Sequence, residues 1–165
     1  MKRVTNRLAA ALFAAALALT GAVQTANAAD AGVRIKNLNS GRCALAQGGA
    51  DNQPVVQYQC LDFVDQKWVI VDKGNRQFQI RNENSGKCML VRGTDNNAPV
   101  VQFTCLDFAD QYWTAESYPD SPSGIYLRNV NSQKCLLVRG TADLQPFEQF
   151  ECARFPDQAW IRSTF

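Results

Sequence analysis

Two kinds of hydrophobic pattern divide the chain. Leu8 to Val23 is an apolar, Ala-rich run. Beyond residue 29 the apolar runs shorten to four or five residues rich in β-branched and aromatic side chains, and clusters of Asn, Ser, Gly and Asp separate them. Short runs of that composition between turn formers predict strands. Strands are expected near 33–36, 43–46, 55–59 and 67–71, and the same four places recur twice downstream. No amphipathic helical stretch interrupts them.

The recurrence is an internal repeat, which decides architecture before any local feature does. Ile35 to Cys43 (IKNLNSGRC), Ile80 to Cys88 (IRNENSGKC) and Leu127 to Cys135 (LRNVNSQKC) align. Pro54, Pro99 and Pro146 each stand 11 residues after the first Cys of their unit, and Cys60, Cys105 and Cys152 stand 17 after it. Each unit closes on Asp-Gln-x-Trp, at Asp65 to Trp68, Asp110 to Trp113 and Asp157 to Trp160. The period is 45 residues from Trp68 to Trp113 and 47 from Trp113 to Trp160. The repeats span about 32–74, 75–120 and 121–165 within a domain of residues 30–165.

One unit of four short strands cannot bury enough apolar surface to stand alone. Three units sharing a core can, and closing them into a barrel removes exposed sheet edges. The fold class expected is therefore all-β, a β-trefoil of three homologous four-stranded repeats. Trp68, Trp113 and Trp160 recur at one place per unit and are expected to meet in the core, where their large area is best buried.

The apolar run belongs to a different element. Lys2, Arg3 and Arg7 precede it and Ala26-Asn27-Ala28 follows it, the pattern of a signal peptide over 1–28. Secretion is expected, by a Sec-type route of bacterial character, with no membrane association after cleavage. The leader also changes the charge. Of 17 Lys and Arg, three lie in it, and all 15 Asp and Glu lie beyond it, so the mature chain is nearly neutral. Nothing in it offers the basic footprint of a nucleic-acid binder.

The six cysteines, Cys43, Cys60, Cys88, Cys105, Cys135 and Cys152, all lie in the exported part. An even count there predicts one disulfide per repeat. Two pairings respect the threefold repetition, one within units and one from each unit to the next. The chain has no His, which removes the commonest general base and the Ser-His-Asp and Cys-His sites. No metal site or cofactor is expected, and no enzyme activity. Asp62 with Asp65, and Asp107 with Asp110, are acid pairs of the kind that act on glycosidic bonds, and a loop role, capping turns or binding a ligand, is the preferred one for them.

The threefold Gln-x-Trp spacing and the paired cysteines resemble the ricin B-type lectin family, over about residues 32–165. The resemblance implies the within-unit disulfides Cys43–Cys60, Cys88–Cys105 and Cys135–Cys152. It also implies a sugar pocket in each unit. An aromatic two residues before the second Cys, Tyr58, Phe103 or Phe150, would face the apolar side of a pyranose. Asp65, Asp110 and Asp157, with the adjoining Gln66, Gln111 and Gln158, would supply polar contacts to hydroxyls. The partner expected is thus a glycan or polysaccharide.

One departure opposes this. The family's sugar-gripping Asp stands two residues after the first Cys, and that place holds Leu45, Leu90 and Leu137. Leu accepts no hydrogen bond. A trefoil that has lost sugar binding and serves as a protein-interaction or inhibitory module is the alternative, and it predicts an exposed apolar patch around these Leu. The units also differ. Arg92 and Arg139 correspond to Gln47, and are expected to be surface charge. Phe147-Glu148 replaces the Val pairs Val55-Val56 and Val100-Val101.

Overall fold

The computed structural model describes residues 32–163; the leader and its cleavage site lie outside them. Repeat one contributes β1 (Arg34–Asn37), β2 (Cys43–Leu45), β3 (Gln53–Pro54), β4 (Val56–Tyr58) and β5 (Trp68–Gly74). Repeat two contributes β6 (Gln77–Asn82), β7 (Cys88–Val91), β8 (Val100–Phe103) and β9 (Trp113–Ser117). Repeat three contributes β10 (Ile125–Asn129), β11 (Cys135–Val138), β12 (Phe147–Phe150) and β13 (Trp160–Ser163). The four expected strands of each unit are present. The extra one, β3, pairs with β8 of the next repeat; Pro99–Glu148 and Val56–Pro146 are its equivalents as single bridges.

Six strands close a ring. β5 pairs with β6, β6 with β9, β9 with β10, β10 with β13 and β13 with β1, all antiparallel. The Val33–Trp68 bridge joins the first strand region to β5 and completes it. The hairpins β2–β4, β7–β8 and β11–β12 attach through Lys36–Cys43, Arg81–Cys88 and Arg128–Cys135. The result is a β-trefoil.

The core repeats as the sequence does. Trp68, Trp113 and Trp160 are fully buried among Ile35, Ile80 and Leu127. Each indole N–H donates to a strand carbonyl of its own repeat, Ala44 at 3.1 Å, Met89 at 3.0 Å and Leu136 at 3.0 Å. Buried polar side chains then tie each repeat to its predecessor. Asn82 Nδ2 donates to the Asp65 carbonyl, Asn129 to Asp110 and Asn37 to Asp157, each at 2.8 Å. Gln102 reaches the Gly48 and Ala50 carbonyls, Gln149 those of Gly93 and Asp95, and Gln57 those of Gly140 and Ala142. Such bonds matter most when buried, because an unpaired polar group there costs about 1–3 kcal/mol.

The disulfides are Cys43–Cys60, Cys88–Cys105 and Cys135–Cys152, within units. Each bridges a 17-residue separation and fastens the loop after a hairpin back to its first strand. Among the described residues no helix is long and apolar enough to cross a membrane.

Candidate functional site

In each repeat the candidate residues stand on a hairpin and on a short turn packed against its inner strand. Tyr58, Phe103 and Phe150 end the outer strand of each hairpin, directly opposite Cys43, Cys88 and Cys135. Strand alternation buries the preceding Gln57, Gln102 and Gln149 and leaves these aromatics half-buried.

The acids sit on 3-10 turns that the strand pattern did not anticipate, at Val64–Gln66, Ala109–Gln111 and Pro156–Gln158. Each turn packs against the inner hairpin strand, and in repeat one the Ala46 N–H donates to the Asp65 carbonyl at 3.2 Å. The main chain of each acid is further held by the Asn latch from the next repeat. In the side chain, the Oδ1 of Asp65, Asp110 and Asp157 is buried without a hydrogen-bond partner. Burial pushes the carboxyl pKa of Asp65 up, and does so for Asp157, where the charge of Arg139 partly opposes it. A buried acceptor of this kind suits a hydroxyl donor.

Gln66, Gln111 and Gln158 adjoin the acids and satisfy backbone groups of the neighbouring loop. They are almost fully buried, and both ends of each amide are bonded to the loop. Gln66 Oε1 accepts from Leu61 N–H at 2.8 Å and its Nε2 donates to the Gln59 carbonyl at 2.8 Å. Gln111 and Gln158 repeat the pattern. These side chains brace the turns that carry the acids, and Gln111 Oε1 also accepts from Gln79 Nε2 at 3.3 Å.

The three Leu depart from expectation. Leu45, Leu90 and Leu137 are 3%, 1% and 1% exposed, so they form no exposed apolar patch. The strand β2 is buried at Cys43, Ala44 and Leu45 alike, and alternation therefore says nothing about which of its faces meets solvent. The exposed apolar side chains stand at another place: Phe63, Phe108 and Phe155 are 57%, 60% and 56% exposed, each two residues before its Asp. The sequence shows this series but not its exposure.

The outer acid of each pair is engaged by a lysine, Asp62 by Lys67 at 3.0 Å and Asp107 by Lys73 at 2.5 Å. Tyr112 also donates to Asp107, and Lys73 holds that carboxyl below the usual range. Among the described residues no group of acids, Cys or His could hold a metal ion. A cleft of about 180 Å³ lined by Asn75, Arg76, Thr114, Ala115 and Glu116 involves none of the pocket residues.

The model of the ricin-type beta-trefoil lectin domain matches residues 31–160. The chain belongs to this family. Solved structures agree on the fold of this lectin domain. A designed threefold-symmetric protein, ThreeFoil, is 23% identical with a TM-score of 0.77, over 81% of this chain and 98% of its own. The ricin B-like lectin of Macrolepiota procera, solved in complex with lactose, is 16% identical with a TM-score of 0.70, over 80% and 94%. An exo-beta-1,3-galactanase from Clostridium thermocellum is 23% identical with a TM-score of 0.76, over 82% of this chain and only 30% of its own. No curated protein sequence matches the chain.

Proposed function

We propose that this lectin domain acts as a secreted, non-catalytic carbohydrate-binding protein, exported through the leader at residues 1–28. Its partners are glycans or polysaccharides. Tyr58 supplies an aromatic platform, Phe103 and Phe150 aromatic walls that each carry an arginine, and Asp65, Asp110 and Asp157 the hydroxyl acceptors. The observation that carries this reading is the threefold recurrence, around one hairpin and its turn, of a half-buried aromatic and an Asp whose buried Oδ1 has no hydrogen-bond partner. Sugars bind through such a combination, an apolar face against an aromatic and hydroxyls against fixed acceptors. The lactose complex of the Macrolepiota procera lectin adds support from a relative.

The test is a glycan and polysaccharide array probed with the oxidised, secreted protein. Selective binding that Asp65→Ala weakens, with the melting temperature of the free protein kept, supports the reading. Silence from folded protein contradicts it. A second reading, a protein-interaction trefoil, is favoured by one observation, the exposed Phe63, Phe108 and Phe155. It predicts that Phe108→Ser abolishes capture of a protein partner while leaving the array unchanged.

A further inference from the structure

The position two residues beyond each buried Leu holds Gln47, Arg92 or Arg139, and the two arginines are not surface decoration. The Arg92 guanidinium lies 4.6 Å from the centroid of the Phe103 ring, and that of Arg139 lies 5.2 Å from Phe150. An Asn from the preceding repeat anchors each one. Arg92 Nε donates to Asn52 Oδ1 at 3.0 Å, and a terminal nitrogen of Arg139 donates to Asn97 Oδ1 at 2.9 Å. Both Asn take a left-handed backbone, with φ of 64°, a conformation Asn tolerates better than most residues. At the equivalent place behind Gln47 stands Leu144, with φ of 63°, which offers no acceptor side chain.

The two arginines then differ in charge balance. Arg139 faces the Glu148 carboxylate at 3.5 Å, across from Leu137 on the paired strand. Among the described residues no carboxylate pairs with Arg92. Its cation lies over a ring, Nε and one terminal nitrogen both donate to the single neutral oxygen of Asn52, and among the described residues the other terminal nitrogen has no bonded partner. A guanidinium fixed in this way matches the two oxygens of a carboxylate, or of a sulfate, without further loss of side-chain freedom. The same guanidinium covers the ring face on which a neutral sugar would stack. Among the described residues no cation lies over Tyr58, in the repeat that has Gln47 at the arginine position.

We propose that the three pockets are specialised: repeat two binds the oxyanion of an acidic sugar through Arg92 on Phe103, and repeat one stacks a neutral sugar on Tyr58. Repeat three, with Arg139 already paired to Glu148, takes no anion. This rests on the carbohydrate-binding reading above and names the ligand class of one of its pockets.

Calorimetric titration of the oxidised protein with trigalacturonate and with its methyl ester tests it, because the two differ in charge and not in ring stereochemistry. The acid is expected to bind about tenfold or more tightly than the ester, as charge-assisted bonds allow, and added salt should erode the preference. Arg92→Gln, which installs the residue of repeat one on an exposed site, should abolish it; Arg139→Gln should leave it intact. A galactose sulfate oligomer in a third arm identifies the source: Arg92-dependent binding of it alone assigns the site to sulfate esters. Equal binding of acid, ester and sulfate, or a preference that survives Arg92→Gln, overturns the specialisation while a neutral ligand lost in Tyr58→Ala still upholds sugar binding. Failure of every saccharide overturns both.

Discussion

At the scale of residues, burial decides what each recurring side chain does. The tryptophans are core residues, and Trp113→Ala should cost about 3–5 kcal/mol in urea unfolding. A loss under 1 kcal/mol would mean that the ring is not the packed element described. Asp65 behaves oppositely, because its carboxyl is desolvated and its pKa raised above 3.8. The folded protein therefore holds this proton more tightly than the unfolded chain, and stability falls as pH rises through the window from 3.8 up to the folded value. Asp65→Asn should accordingly be more stable than the natural protein at pH 7, and that gain should vanish below 3.8. Urea unfolding at both pH values checks it. Glycan affinity has the other sign, since a hydroxyl donates to the ionised carboxylate. It should hold at neutral pH and fall on acidification, with a midpoint above 3.8 in a pH series of titrations.

At the scale of elements, each candidate pocket is a hairpin, a disulfide and a 3-10 turn latched by one glutamine. Gln66→Ala unpairs the Leu61 N–H and the Gln59 carbonyl, and should cost about 1–3 kcal/mol. Hydrogen exchange should then rise over 59–66 first. Uniform loosening of the whole chain would contradict a local latch. The removal of Cys88–Cys105 by a double Ser variant should cost about 2–4 kcal/mol, with the other two repeats still oxidised. Strands were legible in the sequence because β-branched runs and turn residues alternate. The 3-10 turns were not, because Val64-Asp65-Gln66 carries no helical period and is shaped by its contacts with β2. Nor was the burial of Leu45 legible, since a strand covered on both faces hides the sign of its alternation.

At the scale of the molecule, threefold repetition made the fold readable from Trp, Cys and Pro spacing alone. What it concealed are the contacts between repeats. Asn52 and Arg92 are 40 residues apart, and no local pattern links them. The ring that Arg92 covers is likewise set by the register of β7 on β8. The pockets therefore resemble one another in sequence and differ in charge and cover. The central claim is that sugar is held at the aromatic and Asp of these pockets. The most direct measurement is a backbone NMR titration of the oxidised protein with an oligosaccharide selected on the array. Shifts are expected to concentrate at Tyr58, Asp65 and their counterparts in the other repeats, and to be absent in Asp65→Ala at repeat one. Shifts confined to the cleft of Asn75, Arg76 and Thr114, or to Phe63, Phe108 and Phe155 alone, would contradict it.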